Sequence, residues 1–467
     1  MSATINRALI ISDDAIGSKM AGPAVRDWEY ARVLSRHCHV TLAIPNESDL
    51  TPSGFGLRRY DSTEALQAMA SESDVVITSG YALKRFAFLK TLPVPLVLSM
   101  THSFVLENIQ HFISEGKSQE FQWHVYQDAA AVLNEQLAVG DFFVCNSERQ
   151  RDYWIGMLAA LGRVNPATYA DAPSLRRLID VVPFGLPDEL PQHRQPVLKG
   201  VYKGIAPDAK VLFWGGLYDW LDPITLIRAM PKVLEKRSDV VVFFAGTRHP
   251  SPNVPTVSPI CQQVMHLSDE MGLTDRHVFF HGWIPYQERE NYLLEADLGL
   301  SLHPDHVETR FAFRTRVLDF IWAGLPIIAT KGDTASELVQ QHQLGAVVGY
   351  QDVSGLAQAI LDLLATPNLK ATLAPRFAQL VQVYRWEQTT RPLVEFCRAP
   401  RLAPDRDVRR EVASRASASP QGAVEDQSPP ARSWSARLVK AWRSLRQGGW
   451  TALKREIIGY LLWKLER

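Results

Sequence analysis

The chain has 467 residues, enough for about three domains of ordinary size or two larger ones with an appendage. With 46% hydrophobic and 21% charged residues it is neither collagen-like, nor wholly disordered, nor a polytopic membrane protein. Lys plus Arg and Asp plus Glu both number 50, so no overall charge draws it to nucleic acid. That balance hides an asymmetry, because the segment from Ser433 to Arg467 holds eight basic residues against two acidic ones.

Cys38, Cys145, Cys261 and Cys397 show neither a CxxC spacing nor histidines at zinc distances, and read as reduced core residues of a cytosolic protein. The apolar run from Ala8 to Ile11 is far too short for a secretory core, and no stretch approaches the length that spans a bilayer.

Short β-branched runs, each followed by a helix-length segment, recur along the chain. They are Ala8 to Ser12, Val40 to Pro45, Val75 to Gly80, Leu96 to Thr101, Phe142 to Ser147 and Val181 to Gly185, then Val211 to Gly216, Val240 to Gly246, Val278 to Gly282, Leu298 to His303, Pro326 to Thr330 and Ala346 to Tyr350. Continuous apolar strands alternating with helices are the pattern of parallel sheets covered on both faces, and six plus six predicts an α/β protein of two tandem doubly wound, Rossmann-like domains. Regular pattern lapses around Leu186 to Asp208, which carries four prolines, and again after Cys397. The predicted domains are therefore 1–190 and 191–397, followed by a disordered linker over 398–432 and a basic helical tail over 433–467.

Ligands bind such sheets at the carboxyl ends of the strands, and two facing sheets would enclose a cleft. The first loop, Ser12 to Arg26, is neither a P-loop nor a GxGxxG turn; Gly17 and Gly22 suit a loop touching a ligand, or an ordinary strand-to-helix turn. In the second half Gly215 and Gly216 follow a strand directly and allow main-chain amides to approach phosphate oxygens. Arg248 lies on the same rim, and Trp283 flanks a base or belongs to the core. A helix from near Phe313 to Gly324 buries Val317, Leu318, Ile321 and Trp322 and turns Arg316, Asp319 and Phe320 to another side. Its positive N-terminus, with Arg314, Thr315 and Arg316, predicts a diphosphate site.

With these residues in view the chain resembles the GT-B glycosyltransferases, close to the large retaining family of bacterial polysaccharide and lipid-linked glycan enzymes. The resemblance runs from Ala8 to Trp386 and is strongest at Phe142 to Gly185 and Gly246 to Val339. It implies a nucleotide-sugar donor held by the second domain and an acceptor by the first. The family's donor site uses two acids eight apart ahead of a Gly-x-Pro turn. Asp319 stands where the second, ribose-binding acid is expected; Phe311 occupies the place of the first, so that either Glu308, three residues upstream, replaces it through a longer loop or that role is absent. The family's Arg and Lys pair after the glycines is missing, so Arg248, Arg314 and Arg316 would supply the charge. The resemblance makes His102, at a strand end, an acceptor or sugar contact in a retaining enzyme; a structural histidine is the other reading.

Transfer from a nucleotide sugar separates a cationic ring from a diphosphate, so donors preorganised around the departing charge would carry catalysis. If arginines and a helix terminus meet that charge, neither divalent metal nor cofactor is required. Asp405-Arg406-Asp407 matches a metal-binding DxD but falls in the proline-rich linker and is discounted. In the tail, tryptophans 434, 442, 450 and 463 and leucines recur at helical spacing opposite Arg and Lys, the composition of a helix lying on an anionic membrane, or of one docked on a protein. The sequence therefore predicts a glycosyltransferase peripherally bound to the inner face of the plasma membrane, acting on a glycan or lipid-linked acceptor. A nucleotide-sugar 2-epimerase and a degenerate GT-B binding or scaffold protein are the rival readings.

Overall fold

The computed structural model describes residues 6–114, 116–249 and 257–409. Met1–Arg406 form one compact unit and Asp407–Arg467 a second, of which only 407–409 are described, so the predicted tail and most of the linker lie outside the described residues.

Two parallel sheets organise the first unit. β1 (Arg7–Ile11), β2 (His39–Ile44), β3 (Gly56–Arg59), β4 (Val75–Ser79), β5 (Leu96–Ser99), β6 (Phe142–Cys145) and β7 (Ile179–Val181) lie in the order β3-β2-β1-β4-β5-β6-β7. β8 (Lys210–Trp214), β9 (Val240–Phe244), β10 (Val278–Phe280), β11 (Leu298–Ser301), β12 (Ile327–Thr330) and β13 (Gly345–Val348) form the order β10-β9-β8-β11-β12-β13. Strand order reverses beside β1 and beside β8, which is where the loops at the carboxyl ends part and leave a crevice. The apolar runs are buried on both faces, as β9, buried throughout, illustrates. Helices start on side-chain caps: Ser147 accepts from the Gln150 amide, Asp222 from Thr225 and Asp333 from Ser336. This is the predicted pair of doubly wound domains.

Three features depart from prediction. β3 was not expected, because Gly-Leu-Arg-Arg has no apolar run; it is a mostly exposed edge strand held by its ladder to β2, with Thr41 opposite Gly56. β7 begins earlier than the Val181 to Gly185 run. The end of that run is instead a crossing point, where the Leu186 amide donates to the Tyr384 carbonyl at 2.7 Å and the Trp386 amide donates to the Leu186 carbonyl at 2.9 Å. Gly185 has to be glycine there, because a Cβ would stand 2.4 Å from the Trp386 ring.

The third departure is the C-terminal boundary. After Arg385 the chain returns to the first lobe: Trp386 is fully buried against Tyr30 and Phe184, and Phe396 stacks on Phe142 with centroids 4.6 Å apart. The segment Trp386–Cys397, expected in the second domain, therefore packs on the first. Nor is the linker disordered from 398. Asp405 accepts from Arg163 Nε at 2.8 Å and from Asn165 Nδ2 at 3.0 Å, while Arg406 Nη1 donates to Asp141 at 2.6 Å. Both ion pairs are almost wholly buried. Asp405 is thus consumed by Arg163, which gives the discounted DxD a structural role.

Candidate functional site

Two adjoining cavities lie between the lobes. The first, of about 270 Å³, is walled by Gly22, Arg26, His102 and Glu107 on one side and by Trp220, Glu308 and Arg314 on the other. The second, of about 200 Å³, is walled by Gly215, Gly216, Trp283, Arg289 and Asp319. Gly22, Phe184, Tyr218, Thr315 and Arg316 line both, so the two are compartments of one cleft.

The floor of the second cavity is bare backbone. Gly215 and Gly216 follow β8, and Gly246, at φ +77°, follows β9; a Cβ on Gly246 would come within 3.1 Å of the Gly216 Cα and 3.2 Å of the Trp283 ring. Only glycine lets these turns lie so close beneath a ligand. The predicted helix is present but shorter, Thr315–Trp322, and a separate turn of helix, Val307–Phe311, occupies the loop before it. Phe320 joins the buried face rather than turning away, its ring lying over Gly299 of β11. Asp319 faces the second cavity and accepts from Arg289 Nε at 3.1 Å. The Arg289 guanidinium is layered between Tyr286 at 3.7 Å and Trp322 at 4.6 Å.

The two predicted arginines at this helix start differ in what they have left to offer. Arg314 is buried and donates to both oxygens of Glu308, at 2.9 and 2.6 Å, with its Nε 3.8 Å from Asp333. Glu308 and Arg314 thus neutralise each other. Arg316 reaches back so that its Nη2 donates to the Gly216 carbonyl at 3.1 Å, whereas its Nη1 is buried with no hydrogen-bond partner. Burial, reinforced by the neighbouring Arg314 charge, holds its guanidinium down to about 10, so it stays charged at neutral pH. A desolvated cation with an unused donor invites an anion.

On the opposite wall, burial and then the Arg26 charge push the His102 imidazole down to about 4, so it is neutral. Arg26 itself is fully engaged, donating to Tyr30 Oη at 2.9 Å, to the Val182 carbonyl at 3.1 Å and to Asn146. Glu107, on the helix Phe104–Ser114, lines the first cavity, and its carboxyl has no hydrogen bond or ion pair among the described residues. Burial and then the Glu308 charge raise its carboxyl to about 8. Gln150 spans the lobes, donating to the Thr101 carbonyl at 3.1 Å and the Phe311 carbonyl at 2.9 Å, while Phe311 packs on Tyr153 with centroids 5.0 Å apart. Two further bridges join the lobes. Arg149 pairs with Glu337, and the Tyr286 amide donates to the Ser18 carbonyl at 2.9 Å.

Of the predicted residues, Gly22, His102, Glu308, Arg314, Thr315 and Arg316 line the first cavity, and Gly215, Gly216, Trp283 and Asp319 the second. Gly17 and Arg248 are not brought in. Gly17 sits in a loop pinned from outside by Asp49, whose Oδ1 accepts from the Ser18 amide at 2.7 Å, and Arg248 is exposed beyond the rim, where its neighbour His249 lines the cleft and packs on Trp283 instead. Sequence reasoning missed Arg26, Glu107, Gln150, Tyr218 and Arg289, which follow no spacing rule; only the meeting of the lobes makes them neighbours. Among the described residues no group of three His, Cys, Asp or Glu is arranged to hold a metal ion.

Residues 208–366 match the family model described as glycosyl transferases group 1. A D-inositol 3-phosphate glycosyltransferase of Corynebacterium urealyticum is 27% identical over 203 residues, 43% of this chain and 46% of that protein, so the match spans under half the relative's length. Among solved structures, the sucrose-phosphate synthase of Thermosynechococcus elongatus superposes with a TM-score of 0.60 at 16% identity, over 84% of this chain and 98% of that one. WaaG, a glycosyltransferase of lipopolysaccharide biosynthesis, gives 0.55 at 16% identity over 84% and 99%, and Anabaena HepE in complex with UDP-glucose gives 0.56 at 15% over 83% and 98%. The arrangement of two doubly wound sheets and the match across the second of them agree: this chain has the GT-B fold, and its residues 208–366 match the group 1 glycosyl transferases.

Proposed function

We propose that the protein transfers a hexose from a nucleotide diphosphate sugar to a hydroxyl of a glycan or lipid-linked acceptor, with retention of configuration and without a metal ion. The donor occupies the second cavity, and the sugar to be transferred reaches across the shared wall into the first. The observation that carries this reading is Arg316, a buried guanidinium with an unpartnered Nη1 at the start of the helix Thr315–Trp322 and between the two cavities. It replaces the family's missing cations, and together with the helix N-terminus and the amides near Gly215 and Gly216 it would meet the charge that develops on the departing diphosphate. Asp319 would accept from the ribose hydroxyls, and Trp283 would flank the base. A neutral His102 with an imidazole held near 4 is a poor proton acceptor, which favours a sugar contact and leaves the acceptor proton to the departing phosphate. UDP and UDP-glucose in HepE structures make a uridine donor the first to try.

The basic, tryptophan-bearing segment from Ser433 to Arg467 supports placement on the anionic inner face of the plasma membrane. Among the described residues no helix is long and apolar enough to cross a membrane. The test is to incubate the full chain with UDP-, GDP-, TDP- and ADP-sugars and measure released nucleotide and the product by mass spectrometry. Turnover of one donor to a glycosylated or hydrolysed sugar is expected. An epimerised donor, or binding without turnover, would replace this reading with an epimerase or a scaffold.

A further inference from the structure

A carboxylate selects a sugar diol best when its orientation is fixed before the ligand arrives. Asp319, with its side chain 34% exposed on the second cavity, is not fixed by its own helix. The restraint comes from another element. Arg289 opens the helix Arg289–Glu295, and its Nε donates to Asp319 Oδ1 at 3.1 Å, which leaves Oδ2 without a hydrogen bond among the described residues. The guanidinium is held in turn. Its Nη1 donates to the Tyr286 carbonyl at 2.5 Å, and the Tyr286 and Trp322 rings lie 3.7 and 4.6 Å from it. Each ring has an anchor of its own. Trp322 Nε1 donates to the Glu189 carbonyl at 2.8 Å, while the Tyr286 amide donates to the Ser18 carbonyl at 2.9 Å and its Oη stands 3.5 Å from Glu29 Oε1. Arg289 thus differs from Arg316. Arg316 keeps a buried nitrogen unused, whereas Arg289 spends Nε on one carboxylate oxygen and Nη1 on a carbonyl that fixes the fork.

We propose that Arg289 is a positioning residue, which holds Asp319 so that its free oxygen meets the ribose hydroxyls and thereby sets a preference for ribonucleotides. This rests on the donor reading, and the test separates the two. Calorimetry on the full chain compares UDP, GDP and ADP, each beside its 2′,3′-dideoxy form. The wild type is expected to bind one ribonucleotide at least about tenfold more tightly than its dideoxy form, and Asp319→Ala to lose that preference. Arg289→Met brings the preference within about threefold while the dideoxy form binds as before, and adding it to Asp319→Ala lowers the preference no further. Arg289→Lys, whose ammonium cannot reproduce the fork, lowers the preference at least about threefold and decides the matter if the Met variant does not fold. Circular dichroism checks folding. A wild-type preference in a folded Arg289 variant overturns the proposal, as does equal weakening of both forms, which would make Arg289 a phosphate contact or a purely structural residue. A wild type that binds a diphosphate without regard to the ribose hydroxyls overturns it and leaves the donor reading standing. One that binds none of the diphosphates removes both.

Discussion

Replacing Arg316 by alanine should weaken a nucleotide diphosphate without weakening the nucleoside. The guanidinium spends one nitrogen on the Gly216 carbonyl and keeps Nη1 buried and unused, with its charge desolvated enough to hold the pKa near 10. A diphosphate oxygen would give that nitrogen a charge-assisted partner worth about 1.5–3 kcal/mol, so Arg316→Ala should lower UDP affinity by roughly 10- to 150-fold. Arg316→Lys keeps a charge but not the fork that bonds Gly216 and a phosphate together, and should recover only part of the loss. Calorimetry with UDP and with uridine separates the cases. The reasoning is refuted if Arg316→Ala binds UDP within about twofold of wild type, a difference too small for a lost charged bond, or if uridine weakens in parallel.

Asp27 provides a test by pH. Burial raises its carboxyl to about 7 from 3.8, with a smaller push from Asp14, so the folded state holds the proton more tightly than the unfolded chain. The contribution is therefore favourable at low pH and is lost as pH rises from about 4 to 7, by about 4 kcal/mol at 1.36 kcal/mol per unit. Asp27→Asn should flatten the urea midpoint between pH 5 and pH 8, and a profile parallel to wild type would contradict the assignment. Asp405→Ala takes the buried carboxylate away from Arg163, whose guanidinium also donates to the Leu137 and Gly140 carbonyls and lies over Phe143, and should cost about 3 kcal/mol in thermal unfolding, an argument that fails if the loss is under about 1 kcal/mol.

Strands were legible in proportion to their burial. β9 is Val-Val-Val-Phe-Phe and announces itself, whereas β3 is Gly-Leu-Arg-Arg, and nothing in its four residues reveals that β2 offers it a ladder. The donor half of the site was legible because its parts are local: paired glycines after a strand, arginines at a helix start, and an acid on the next turn. Glu308 was singled out by its distance from Asp319, but its bidentate hold on Arg314 depends on the extra turn Val307–Phe311, which no spacing foretells. Glu107 was illegible for a different reason. On its own helix it is one of several polar residues, with Asn108, Gln110, His111 and Ser114, and its meaning arises only when the second lobe sets Glu308 against it. The return of Trp386–Arg398 to the first lobe was hidden because aromatic contacts such as Phe396 on Phe142 join residues far apart in the chain.

The paired crossing at Leu186 and Arg385 makes the lobes a door hung on one side. Both connections run side by side and are bonded to each other, so a swing about them stretches little there. Separate latches also join the lobes: Arg149 on Glu337, Gln150 on the Phe311 carbonyl and the Tyr286 amide on Ser18. Admission of a bulky guest is thus governed by a few polar catches besides the pivot, and trimming any one of them loosens the entrance while leaving the hinge pin intact.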